Sequence, residues 1–416
     1  MFRETYGLLV LGPDHIEGPS AVQEDMSVGQ RIRYYRKRRG LSQPVLAGLV
    51  GRSTSWLRKV ERGERAVDKL SVLRLLANVL KVEVADLVGA VELPPNGGTP
   101  LEAPRGLHAV RRALYVPSPP DREPPTPHAL RANVVEAKQL IGNGAYEQLS
   151  LMLADVITDA RVAVEHGVPG AWWSLAGACQ VTSSLMRNLG DTRVAWIAAD
   201  RAIIAARHLD DPAMVGIAMR DMGNALMYEG MLDEAASVSS NAADLLAPTD
   251  ATPPELWTVW GLLKLTEATA ASRGDSPAHA WRVFPAARAA AERLGPGRND
   301  YWEAFGPSSV GVVEVAAVVE SGDPVEALRI ADRVDVTEMA IAERRARFCL
   351  YVAYAHVLRA DDAAAVAQLV EGERHAPDVI RYHVRARDIV QVCLRRERRS
   401  RTPALRGLAE RMGVLV

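Results

Sequence analysis

The chain has 416 residues, a formal net charge of −1, 48% hydrophobic residues and 24% charged ones. That length exceeds one small domain, and that apolar content can fill a large core, so a fibrous or wholly disordered chain is excluded. No apolar run approaches the ~18 residues of a membrane-crossing helix, and the cysteines Cys179, Cys349 and Cys393 are scattered with no metal-ligand spacing. Buried reduced thiols in a cytoplasmic protein, with no metal and no cofactor, are expected.

Residues 1–26 hold a short apolar run that ends at Pro13-Asp14, with no small-residue cleavage site behind it. No signal peptide is expected; the segment reads as a disordered extension or as the product of an upstream start codon. Arginine far outnumbers lysine and alanine is abundant, the bias of a GC-rich genome such as an actinobacterium's.

The run from Gly29 to Gly63 is the most informative stretch. It reads as a basic helix, a short helix, a glycine turn and a third helix with small polar residues near its start. Ser42 is placed to cap the second helix. Ala47 is small where two helices cross, and Gly51 supplies the turn. Leu57 and Val60, three apart, face inward with Leu46 and Val50. Ser53, Thr54, Ser55, Arg58, Lys59 and Arg62 are left outside. Hydroxyls near a helix N-terminus, with cations one turn later, suit base edges and phosphates. Residues 27–89 carry a charge of +9, so the remainder carries −10. A basic head on an acidic body confines phosphate contact to one end.

The spacing Ala47, Gly51, Leu57, Val60 resembles the helix-turn-helix of the Xre/Cro-like repressors. The resemblance implies a five-helix domain over 27–89 that includes LSVLRLLANVLKV and VADLVG. By it, Thr54, Ser55 and Lys59 read bases, and Gln43, Arg62 and Lys69 touch phosphates; Ser53 and Arg58, on the same outward face, join the base-reading candidates. Arg36 and Glu61 form a structural ion pair. Trp56 departs from the family, which has a small or polar residue there; it packs at the helix edge or stacks near the sugar-phosphate backbone.

Ten prolines fall between residues 94 and 127. Such a stretch is no single helix, so 90–128 reads as a semi-rigid linker. Within it LHAVRRALYV is amphipathic enough for a short helix.

From 129 to 416 the pattern is helix after helix, which makes the whole chain all-α. Prolines at 212, 254, 277, 307, 324, 377 and 403 mark breaks or first turns. Short turns recur at Gly190, Gly230, Gly274, Gly322 and Ala360, each between an apolar helix and an alanine-rich one. That is the sign of an α-solenoid of helical hairpins. Gly223, Leu226, Gly230, Ala235, Ala242 and Pro248 resemble a tetratricopeptide repeat. The chain as a whole resembles actinobacterial Xre-type regulators with a tetratricopeptide-like C-terminal domain, which implies dimerisation or effector sensing there.

A solenoid curves and leaves a concave face. Trp173, Asn224, Tyr228, Trp257, Trp260 and Trp302 are candidates for an effector pocket on it, against the alternative that tryptophans merely fill the wedge between hairpins. Arginines at 344, 345, 347, 381, 385 and 387 read as partners for acidic residues of neighbouring hairpins, and RRERRSR over 395–401 as a solvated helix end. Phosphate-loop, dinucleotide-binding, zinc-protease and serine-hydrolase motifs are all missing, so no enzyme is expected. The expected function is that of a homodimeric, sequence-specific DNA-binding transcriptional regulator sensing a small molecule or peptide. The alternative is a DNA-tethered scaffold that recruits partner proteins through its solenoid.

Overall fold

The computed structural model describes residues 27–50, 52–63, 103–117, 121–274, 277–397 and 402–414, with single residues between 72 and 87. It divides into two units, 1–97 and 98–416. Among the described residues there are nineteen α-helices and no strand. None of these helices is long and apolar enough to cross a membrane.

In the first unit α1 spans Val28–Arg38, α2 Gln43–Leu49 and α3 Thr54–Glu61. Three serines start them. Ser27 opens α1 with a reciprocal capping box, in which Gln30 Oε1 accepts from the Ser27 N–H at 2.8 Å. Ser42 Oγ accepts from the Val45 N–H, and Ser53 Oγ from the Trp56 N–H at 3.1 Å. Ile32, Leu46, Ala47, Val50, Leu57 and Val60 form the core, joined by Val72, Leu76, Ala77, Leu80 and Leu87 from the following segment. Gly29 lies against α3: a Cβ there would stand 2.0 Å from the Val60 carbonyl oxygen, so α1 and α3 touch backbone to backbone. The turn at Gly51 and most of the expected fourth and fifth helices lie outside the described residues.

The second unit begins with α4, Leu107–Tyr115, which falls inside the expected linker. It buries Leu107, Val110 and Leu114 in the main core of this unit. An amphipathic helix with an apolar face to cover beats the proline content around it.

Six hairpins follow. They pair α5 (Pro127–Gly142) with α6 (Tyr146–Glu165), α7 (Ala171–Asn188) with α8 (Thr192–Ala206), and α9 (Pro212–Tyr228) with α10 (Leu232–Leu246). Next come α11 (Pro254–Arg273) with α12 (Pro277–Leu294), α13 (Pro307–Glu320) with α14 (Pro324–Ala331), and α15 (Ala342–Leu358) with α16 (Asp362–His375). Residues 190, 230, 274, 322 and 360 sit in five of the intervening turns, and Gly144 makes a sixth that has no counterpart in the sequence reading. Small residues bring the helices together: a Cβ on Gly223 would meet Ser239 Oγ at 2.5 Å, and Ala235 and Ala242 of α10 are buried.

The first helices of the hairpins pack in succession, α5 on α7, α7 on α9, then α11, α13 and α15, and α15 returns to α5. The array is therefore a closed ring rather than an open crescent. Its seam is made by Val134, Leu149 and Ile157 against Leu350, Ile380 and Leu405. It is also bonded: the Glu147 N–H donates to Asp378 Oδ2 at 3.1 Å, the Tyr382 hydroxyl donates to the Glu147 carboxylate, and Arg347 donates to Asn188. Helices α17 (Pro377–Tyr382), α18 (Val384–Arg395) and α19 (Leu405–Arg411) finish the chain over that seam.

Five of the turn residues are glycine, whereas the last, Ala360, holds φ at 60° with a Cβ. That conformation costs an L-residue ~1–2 kcal/mol. Ala360→Gly is expected to stabilise the ring by roughly 0.5–1 kcal/mol after the extra backbone entropy of glycine is subtracted. A denaturant midpoint that falls instead would show that the left-handed turn is not populated.

Candidate nucleic-acid interface and central cavity

The outward face of α3 is positioned by what the helix buries. Leu57, Val60 and Glu61 point into the unit, and Ser55, Arg58, Lys59 and Arg62 are exposed, with Thr54 half-buried. Ser53 is exposed as well, but its Oγ already serves as the cap. Glu61 ties the unit together: Arg36 Nε donates to Oε1 at 2.6 Å and Nη2 to Oε2 at 3.0 Å, a two-pronged bond with both side chains almost wholly buried. Arg36 Nη1 also reaches the Leu41 carbonyl at 2.8 Å. Gln43 Nε2 donates to the same carboxylate at 2.7 Å, so one amide hydrogen of this half-buried residue is taken and the other is left for solvent or ligand. Trp56 is half-buried against the core with the Arg52 guanidinium 5.7 Å from its ring centre. Lys69 lies outside the described residues.

The second feature is a cavity of about 170 Å³ at the centre of the ring. All six inner helices and the segment between α12 and α13 line it, which only a closed ring allows. Of the six residues expected to form a pocket, Asn224, Tyr228 and Trp302 line this cavity. Trp173 stands behind them, edge-on to Trp302 at 6.3 Å and under Arg131. Trp257 and Trp260 pack edge to face at 5.7 Å in a separate core and do not reach it.

The sequence placed none of the cavity's charged groups at a site, reading Arg344 and Arg347 only as partners for neighbouring hairpins. Arg187, Arg220, Arg273, Arg344 and Arg347 line it against only Glu303 and Glu343. Some are matched. Arg347 bonds Glu343, Arg220 reaches Glu303 at 2.5 Å, and Arg273 turns outward to Glu320 at 2.7 Å. Burial opposes ionisation of Glu343, but Arg347 and Arg344 outweigh it and hold the carboxyl below its usual range. Asp221, beside the cavity and 3.5 Å from Arg220, is pushed up to about 7 by burial against the pull of that guanidinium. Tyr228 records the result. Burial alone would raise its phenol, yet Arg347, Arg187 and Arg273 bring it down to about 7. The side chain lines the cavity and is 37% exposed.

The segment from Asn299 to Gly306 carries Trp302 and Glu303 into this space. Tyr301, Trp302 and Ala304 hold φ at 53°, 65° and 45°, three left-handed residues with side chains. It is pinned at both ends: Asp300 is held by Arg298 at 2.8 and 2.9 Å and by the Thr258 hydroxyl at 2.8 Å, and Asn299 Oδ1 accepts from the Ala304 N–H at 3.0 Å. Phe305 then packs onto Gly261, where a Cβ would stand 2.2 Å from its ring. Strain of this kind persists where surrounding contacts over-determine it, and it gathers at ligand clamps.

No three or more His, Cys, Asp and Glu side chains converge as a metal site among the described residues. The three cysteines are buried and unpaired, with thiols pushed up by burial to about 12, 11 and 12.

Residues 27–88 match a family described as a helix-turn-helix domain. An immunity repressor protein of Bacillus phage phi105 is 42% identical over 64 residues, 15% of this chain and 44% of the repressor, so less than half of that relative is spanned. A crystal structure of Bacillus thuringiensis PlcR with the peptide PapR7 and DNA covers 64% of this chain and 95% of its own, at 11% identity and a TM-score of 0.29. With α1 to α3 in place, residues 27–88 are similar to a helix-turn-helix domain, and the C-terminal unit is a ring of helical hairpins.

Proposed function

We propose that the chain is a sequence-specific, DNA-binding transcriptional regulator acting as a homodimer, and that its helical ring senses an effector. The observation that carries the DNA part is the exposed face of α3: hydroxyls at its first turn and cations at its last, on a helix whose inner face is locked into the unit. On this reading Ser53, Thr54, Ser55, Arg58 and Lys59 face base edges, while Gln43, Arg62 and Lys69 reach phosphates. The Gln43 contact uses the amide hydrogen not given to Glu61. Two heads on two half-sites, about one helical turn or a multiple apart, fit a dimer. The cavity at the centre of the ring, lined by all six inner helices and rich in arginine, supports a sensor over a partner-recruiting scaffold.

The test is binding of the full chain to DNA selected from random sequence, followed by anisotropy across a salt series. Phosphate contacts release counterions, so log K is expected to fall linearly with log salt, with a slope of roughly −0.9 per phosphate contacted. A selection that enriches no sequence, or a flat salt response, refutes the DNA reading.

A further inference from the structure

We infer that the ring cavity binds one small organic anion, a carboxylate or phosphate carried on a single ring or short branched chain, held by Arg187 and Arg344. This rests on the proposed sensor role and names the chemistry of its ligand. Three independent features of the cavity point to it.

The first is an excess of positive charge: five arginines line the cavity with two glutamates. Arg187 and Arg344 form no ion pair among the described residues. Arg187 reaches only the Ser184 hydroxyl, at 3.4 Å, and lies 5.5 Å from the Tyr228 ring centre. Arg344 has a long 3.4 Å bond to the Glu303 carbonyl, and its Nε is buried with no partner. Both are half-buried, and the nearby Glu303 and Glu343 leave the cluster with more guanidiniums than carboxylates, an imbalance that an anion supplied from outside offsets.

The second is size. A cavity of about 150 Å³ holds one benzene ring, and this one is about 170 Å³. A one-ring acid fits it, with Leu265, Val312 and Val313 meeting its apolar part and the guanidinium forks its oxygens.

The third is the strained segment. Glu303 already places a carboxylate in the cavity, against Arg220. It acts as an internal stand-in, presented by a backbone that three left-handed residues keep under tension. An external anion on Arg187 and Arg344 enters beside it, and because Arg344 also reaches the Glu303 carbonyl at 3.4 Å, the segment from Asn299 to Gly306 is where its binding can become movement.

Tyr228 supplies a built-in reporter. It is faced by Arg187 of α7, Arg273 of α11, Arg347, Glu343 and Tyr351 of α15, Glu303 of the strained segment, and Arg220 of its own helix. An anion among these arginines weakens the field that favours phenolate, so binding raises the phenol's pKa and takes up a proton. Conversely, phenolate formation as pH rises through about 7 weakens anion binding.

The experiment uses the full chain with benzoate, phenyl phosphate and neutral benzamide, read by calorimetry and by phenolate absorbance at pH 8. The anions are expected to bind and to diminish a phenolate signal that Tyr228→Phe also removes; benzamide is expected to do neither. Whether benzoate or phenyl phosphate binds more tightly decides between the two head groups. Arg187→Gln and Arg344→Gln, which break no ion pair, are expected to keep the melting temperature and to weaken binding at least tenfold each. Benzamide binding as well as the anions, anion affinity unchanged in both variants, or no anion altering the phenolate band would each overturn the assignment. Operator affinity is measured separately. Anion binding that leaves DNA affinity unchanged keeps this site and removes the sensing role, whereas DNA binding without anion binding does the reverse.

Discussion

Glu61→Ala is expected to unfold the N-terminal unit while leaving the ring intact. The carboxylate accepts from Arg36 at 2.6 and 3.0 Å and from Gln43 at 2.7 Å, linking all three helices through one side chain. Arg36 and Glu61 side chains are 9% and 2% exposed, so the alanine variant strands a buried guanidinium. Breaking such a pair costs ~3–5 kcal/mol. A unit of this size has a total stability of the same order. Hydrogen exchange reads the outcome directly: amides of α1 to α3 are expected to lose protection, and those of the ring to keep it. Glu61→Gln, which retains an acceptor of the same shape, is expected to fall between. Full protection of α1 to α3 in the alanine variant would show that the pair is dispensable.

Much of the ring was legible because proline and the turn residues act locally. Pro212, Pro254, Pro277, Pro307, Pro324 and Pro377 each stand as the first residue of a helix, where the missing N–H has no partner to lose. Gly190, Gly230, Gly274 and Gly322 fall in turns for an equally local reason. Pro285 escapes the rule, sitting inside α12 where packing of Phe284 and Ala287 outweighs one lost backbone bond.

Closure was not legible. Whether α15 returns to α5 depends on small rotations accumulated over five hairpin junctions, and no short pattern encodes their sum. The bond from Tyr382 to Glu147 spans 235 residues. The character of the cavity was hidden for the same reason. Aromatic residues drew attention to Asn224, Tyr228 and Trp302, but the five arginines lie on four different inner helices' cavity-facing sides or ends, and each alone reads as a surface charge. Arg347 was expected to pair with a neighbouring hairpin and instead pairs with Glu343 on its own helix, while Arg385 does reach across, to Glu320 of α13. The residues that close the cavity also charge it, so fold and candidate ligand site became readable together.

Arg58→Ala and Lys59→Ala together are expected to lower operator affinity 30-fold or more, with no change in the melting of either unit. Both side chains are exposed in the last turn of α3, and neither supports the core formed by Leu57 and Val60. Loss of a good base contact costs ~1–3 kcal/mol of discrimination, and loss of a phosphate contact flattens the salt slope by ~0.9. The two single variants therefore separate roles that exposure alone leaves merged. A residue that reads a base loses affinity for the operator but not for unrelated DNA. A residue that touches phosphate weakens both equally and reduces the slope. Ser55→Ala provides the neutral counterpart: its hydroxyl is exposed and does not cap α3, since Ser53 does, so any effect on DNA is free of helix stability. If the double variant binds the operator as tightly as the parent chain, α3 is not the reading helix, and the basic face of α1, with Arg33, Lys37 and Arg38 exposed, becomes the surface to test.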